Sequence, residues 1–239
     1  MVNKILEIMK KEMSSYFYQK SAILRNVLFL GLFGGLTIYE LTRAVDQYGS
    51  TTSVISSSLN ILLALAAIFP VQMSGGLSVM AFPVERDQKT LEHLLSLPLS
   101  NRQIFLGKFL AALVAGIVGL ALILVIILGF VFFNYNVSPG VLLSYNSLDL
   151  MAFVICPMLV TLLILATVAI SSRISARETY IVNIFSMFIL LGLNIAVSSL
   201  NIDPYTFNAI IAAVLAIGIV VMYAIGIRMF NRESLVKSL

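Results

Sequence analysis

A chain of 239 residues that is 60% hydrophobic and only 11% charged, with a mean hydropathy of +1.03, cannot hide its apolar surface in a water-soluble fold. The bilayer must be its solvent, and a backbone in lipid has to satisfy its own hydrogen bonds, which leaves helices or a closed barrel. The apolar runs are continuous and about 20 residues long, where barrel strands are shorter and alternate, so the expected fold is an all-α, polytopic integral membrane protein.

Single residues exclude several chemistries. One cysteine, Cys156, permits no intrachain disulfide and reads as a small residue in an apolar run. His93 has no second histidine and no nearby cysteine, so no metal site is expected. No nucleophile–base arrangement and no facing carboxylate pair stands out, so no catalytic residue is assigned. With no tryptophan, anchoring at the interfaces falls to Tyr, Lys and Arg. The first residues are charged and periodic, unlike a cleavable signal peptide.

The spacing of Val2, Ile5, Leu6, Met9, Met13, Tyr16 and Phe17 predicts a helix over Val2–Lys20 with one apolar stripe. Glu7, Lys10, Lys11, Ser14 and Ser15 occupy its other side. Residues 1–22 therefore read as an amphipathic interfacial helix, serving as a lipid-surface anchor or as a docking face for a cytoplasmic partner. A membrane domain over 23–239 follows. Its expected spans are Leu24–Leu41, Leu59–Phe82, Phe109–Phe133, Leu150–Ile170, Tyr180–Leu200 and Phe207–Ile227. The outer loops are expected at Thr42–Ser58, with Ser56, Ser57 and Ser58 in the first of them, at Asn134–Ser147 and at Asn201–Thr206.

Charge orients the six spans. With the N-terminus inside, the inner segments hold Lys4, Lys10, Lys11, Lys20, Arg25, Arg86, Lys89, Arg102, Lys108, Arg173, Arg177, Arg228, Arg232 and Lys237, and only Arg43 lies outside. An odd number of spans puts Arg228 and Arg232 on the wrong side, so both termini are expected in the cytoplasm. The basic pI near 9.2 follows from this topology and does not point to nucleic acid.

The longest inner connection, 83–108, reads PVERDQKTLEHLLSLPLSNRQIFLGK. Glu85, Arg86 and Asp87 cluster after the second span. Thr90–Leu97 then reads as a short helix with Leu91, Leu94 and Leu95 on one face and Glu92 and His93 off it. Pro98 ends it, and Ser100 caps a new helix that begins with Asn101 and Arg102 and runs into the third span. The apolar face calls for cover, from a cytoplasmic partner, the bilayer surface or the N-terminal helix.

This segment resembles the signature of type-2 ATP-binding-cassette (ABC) transporter permeases, roughly Phe-x-x-Glu-Arg-Glu-x-Gly-Thr-Leu-Glu-x-Leu-Leu-x-x-Pro with a later Gly-Lys. The matching residues are Phe82, Glu85, Arg86, Thr90, Leu91, Glu92, Leu94, Leu95, Pro98, Gly107 and Lys108. Asp87 replaces the usual Glu and keeps its charge, while Lys89 replaces the usual Gly. The layout is similar too, from the N-terminal helix to the short basic tail. The resemblance implies half of an exporter's membrane part. A second copy or homologue pairs with it, and separate ATP-binding subunits carry the ATP and Mg. Thr90–Leu97 becomes the coupling helix, seated in a cleft of the ATPase, and the Val2–Lys20 helix braces the same subunit. No phosphate loop precedes Gly107-Lys108, because Arg102 stands where its first glycine belongs, so hydrolysis is expected in another chain.

Polar residues within spans are candidates for a pathway. Asn60, Gln72 and Ser74 lie in the second span beside Gly75-Gly76. In the fifth, Asn183, Met187, Leu190, Asn194 and Ser198 share one helical face. The resemblance places both spans at the central route, and the other reading is that amides and glycines only bind helices together. The functions that compete with transport are a membrane scaffold docking a cytoplasmic protein and a lipid-modifying membrane enzyme.

Overall fold

The structure, a computed structural model, describes residues 2–84, 100–143, 154–171, 181 and 204–229. Among these residues it is all-helical, without strands. The helices are α1 (Val2–Tyr18), α2 (Lys20–Tyr48), α3 (Thr52–Ala66), α4 (Ile68–Val79), α5 (Asn101–Tyr135), α6 (Pro139–Leu143), α7 (Cys156–Ser171) and α8 (Pro204–Met229), and a π-helical turn at Met80–Val84 follows α4. The expected fifth span, Tyr180–Leu200, lies outside the described residues but for Ile181.

α1 forms where the apolar spacing places it. Gln19, in extended conformation, bends the chain into α2. That helix runs past the expected end of the first span, because Leu41 and Val45, four residues apart, are both buried and carry the pattern through a polar stretch. The expected outer loop Thr42–Ser58 therefore shrinks to Gly49, Ser50 and Thr51. The serine cluster is helical as well. Ser56 Oγ donates to the Ser53 carbonyl at 3.1 Å and Ser57 Oγ donates to the same carbonyl at 2.8 Å, which satisfies these hydroxyls inside the helix.

The second expected span is interrupted at one residue, Ala67, which keeps a right-handed helical conformation and donates to the Leu63 carbonyl at 2.8 Å. α3 ends at Ala66 and α4 begins at Ile68, two positions before Pro70, whose ring clashes with the carbonyl four residues back and whose nitrogen has no proton to give. At the other end the wider π-helical turn accommodates Pro83 for the same reason.

α4 is the centre of the fold, with every residue from Ile68 to Val79 buried. α5, α7 and α2 surround it, with α3 and α1 in lesser contact. Small residues bring α5 close: Ala111, Ala112 and Ala115 are fully buried, and a Cβ added to Gly116 would meet Val160 Cγ1 of α7 at 2.5 Å. Such seams of small residues let helices pack in lipid, where no hydrophobic force presses them together. Outward faces are apolar, with Leu24 and Leu28 on α2, Val125 and Phe133 on α5, and Ile217 and Val220 on α8 all more than half exposed.

α2 and α5 are long and apolar enough to cross a membrane. At 1.5 Å per residue α5 is about 52 Å long, well beyond a hydrocarbon core of about 30 Å. α7 and α8 contain shorter apolar stretches, Cys156–Thr167 and Ala209–Ile225.

Candidate coupling site

The first turn of α5 is built by its sequence. Ser100 Oγ accepts from the Gln103 backbone N–H at 3.3 Å, and Gln103 Oε1 accepts from the Ser100 N–H at 2.9 Å. This reciprocal capping box satisfies two donors that the helix leaves open, and it places the helix start where the sequence puts it. The residues just before it, 85–99, lie outside the described residues. They include Glu85, Arg86, Thr90, Leu91, Glu92, Leu94, Leu95 and Pro98. The structure does describe the two helical ends between which this segment runs, the π-helical turn and the head of α5.

α1 sits against that head. Its most buried residues are Ile8, Glu12 and Tyr16, stacked at four-residue intervals on one face. Ile8 packs onto Gly107, where an added Cβ would lie 2.7 Å from Ile8 Cβ and 3.2 Å from the Ile5 carbonyl oxygen. Only a residue without a Cβ permits this approach. One turn on, Lys108 Nζ donates to Glu12 Oε1 at 2.9 Å, with the lysine side chain 0% exposed and the glutamate 9%. A pair enclosed to this degree is a charge-assisted hydrogen bond shielded from water.

Tyr16 completes the seam. Its hydroxyl donates to Asn26 Oδ1 of α2 at 3.1 Å and accepts from Arg25 Nη2 at 3.2 Å, and the guanidinium lies 5.9 Å from the ring centroid. Arg25 also abuts α4, because a Cβ added at Gly76 would meet its Nη2 at 2.6 Å. One face of α1 thus touches the heads of α5 and α2 and reaches the central helix. The exposed side keeps Lys4, Glu7, Lys10, Lys11, Ser14 and Ser15. Of the apolar stripe, Tyr16 is buried against the chain's own helices, Ile5, Met9, Met13 and Phe17 are half-buried, and Leu6 stays exposed.

Glu12 escapes a reading of the sequence that groups residues by apolar character, and Ile8, apolar and four residues before it, lies off the stripe that the sequence reading drew. The available signal was a carboxylate at position i−4 from Tyr16 on an otherwise apolar face, which calls for a buried cation. Lys108 was already singled out as the end of the Gly-Lys pair.

The pathway candidates fare differently. Gln72, on α4, is 6% exposed and enclosed within the chain, and its neighbours Ser74 and Ser78 donate to the carbonyls of Val71 at 3.1 Å and Gly75 at 2.9 Å. Asn60 lies on α3, with its side chain outside the description. Asn183, Met187 and Asn194 lie outside the described residues.

A comparison with curated proteins finds no match. The profile of the family described as "ABC-2 family transporter protein" matches residues 6–203, which takes in most of α1, the segment 83–108 and the helices up to α7. The chain is therefore a member of the ABC-2 transporter family, a transmembrane permease component of an ABC transporter rather than its ATPase.

Proposed function

We propose that this permease subunit is half of an exporter. Two copies, or this chain and a homologue, form the substrate route between them and work with two separate ATP-binding subunits, which carry the ATP and Mg. Six spans in the cell membrane, with both termini in the cytoplasm, agree with 14 of the 15 Lys and Arg residues falling on the inner side. The short helix Thr90–Leu97 enters a cleft of the ATPase through Leu91, Leu94 and Leu95, flanked by Glu85, Arg86, Thr90, Glu92 and Pro98. The N-terminal helix braces the same subunit. Closure of the ATPase pair on ATP then biases the membrane halves between inward-facing and outward-facing arrangements. Asn60, Gln72, Asn183, Met187 and Asn194 line or support the route, with lipid around it.

The observation that supports this reading is how the described end of the 83–108 signature, Ser100 to Lys108, opens α5. The signature enters α5 through a built cap, and the base of α5 is locked to α1 by an enclosed ion pair. A push on the segment therefore acts on a braced element and not on a free loop.

The test is purification of the tagged chain from its native cell in mild detergent, followed by mass spectrometry and an ATPase assay. A stoichiometric partner with a phosphate-loop motif, and hydrolysis in the complex, is the expected result. An intact chain recovered alone and inactive contradicts it and favours a scaffold or an enzyme.

A further inference from the structure

We propose that Glu12 and Lys108 are positioning residues for energy coupling. Their ion pair fixes the register of α1 on α5, so that the N-terminal helix and the head of the third span move as one body when the 85–99 segment is displaced. This rests on the reading of that segment as the contact with the ATPase.

The physical argument begins with what the rest of the seam can do. Ile8 on Gly107 is an apolar contact, and apolar faces exchange partners with little directional preference. The Tyr16 hydrogen bonds tie α1 to α2 and not to α5, so the apolar contact alone lets α1 slide or roll on α5 when α5 is pushed. A buried ion pair does not. Separating Glu12 from Lys108 breaks a charge-assisted bond inside a seam closed to water, which is strongly unfavourable. Replacing such a pair by apolar residues often leaves stability unchanged, so its best-supported use is to enforce register. Here it enforces register between two segments 96 positions apart in sequence, at the first enclosed turn beyond the 85–99 segment.

The consequence reaches the first span. Glu12 stands one turn before Tyr16, and Tyr16 holds Asn26 at the head of α2. A displacement of the α5 head passes through Lys108, Glu12, the α1 backbone and Tyr16 to α2. This route is contiguous, and at Tyr16 it runs against Gly76 of α4.

The experiment uses the complex with its co-purified ATPase in lipid nanodiscs, with spin labels at Lys11→Cys and Arg102→Cys. Both positions are exposed, and the native Cys156 is buried from the label. Labelled chain is diluted in unlabelled chain, and the distance is measured by electron paramagnetic resonance without nucleotide and in the vanadate-trapped state. The wild-type background is expected to give one narrow distance, identical in both states. In Glu12→Gln/Lys108→Met the complex still assembles, the distance broadens and shifts between states, and the permease-dependent part of ATP hydrolysis is lost. The exchanged pair Glu12→Lys/Lys108→Glu regains both the narrow distance and the hydrolysis.

A neutral variant with wild-type distances and hydrolysis overturns the proposal, as does a wild-type distance that changes with nucleotide. Should the neutral variant fail to assemble, constancy of the wild-type distance supports the rigid unit and its variation overturns it. Absence of any ATPase from the wild-type preparation defeats the permease reading itself, and this inference with it.

Discussion

Tyr16 of α1 gives its hydroxyl proton to Asn26 of α2 across the bend at Gln19, at 3.1 Å, while Arg25 Nη2 donates to the same oxygen at 3.2 Å. Tyr16 is 1% exposed, so water does not substitute for either bond. Tyr16→Phe keeps the ring and removes the oxygen, which takes the Tyr16 donor from the buried Asn26 Oδ1 and the Tyr16 acceptor from Arg25 Nη2. The expected loss is about 1–3 kcal/mol in the docking of α1. Thermal unfolding in detergent, and protease nicking near Gln19, measure it. An unchanged midpoint with no new cleavage contradicts the network.

Gly107→Ala places a methyl group 2.7 Å from Ile8 Cβ and Cγ2, closer than real contacts allow. Overpacking of this kind typically costs about 1–3 kcal/mol. Ile8→Ala removes one of the two offending carbons and should recover part of the loss, so the double variant is more stable than the sum of the singles. Additive losses in the same unfolding assay contradict the contact.

Ser100→Ala removes one half of the capping box but leaves the helix beyond it intact. The expected effect is local, about 1 kcal/mol, and appears as roughly fivefold faster amide exchange at Gln103 with little change beyond the first turns. Exchange measured by mass spectrometry on peptides covering Ser100–Leu106 decides it.

What was legible in the sequence is what local chemistry dictates. The α1 periodicity, the Ser100 cap and the apolar content of α5 depend on residues within a few positions of one another, and all three appear in the structure. The loop expected at Thr42–Ser58 is mostly helix, because the Leu41/Val45 spacing and the ability of serines to bond backward within a helix outweigh its polar composition. The break at Ala67 was signalled by Pro70, yet continuous hydrophobicity masks a proline in a membrane span. Of the Glu12–Lys108 pair only half is legible, the carboxylate one turn before Tyr16 that calls for a cation. Which cation answers it, 96 positions away, is decided by packing alone.

Asn194→Leu addresses the route. If the amide faces cargo, transport falls while the yield of assembled complex stays within about twofold of wild type, because a surface-lined polar residue contributes little to stability. Once a cargo is known, transport into vesicles and chromatographic yield are compared side by side. Equal loss of assembly and transport assigns Asn194 to helix packing instead.

The central claim is that a separate ATPase docks on the apolar face of Thr90–Leu97, and Leu94→Asp tests it most directly by placing a charge on that face. Wild-type and variant chains are purified in parallel under identical mild conditions, and the ATPase retained per permease is quantified by mass spectrometry. The account predicts that wild type retains the ATPase and that the variant, still folded by its unfolding midpoint, loses most of it together with ATP hydrolysis. Equal retention and equal hydrolysis in the two preparations contradict it.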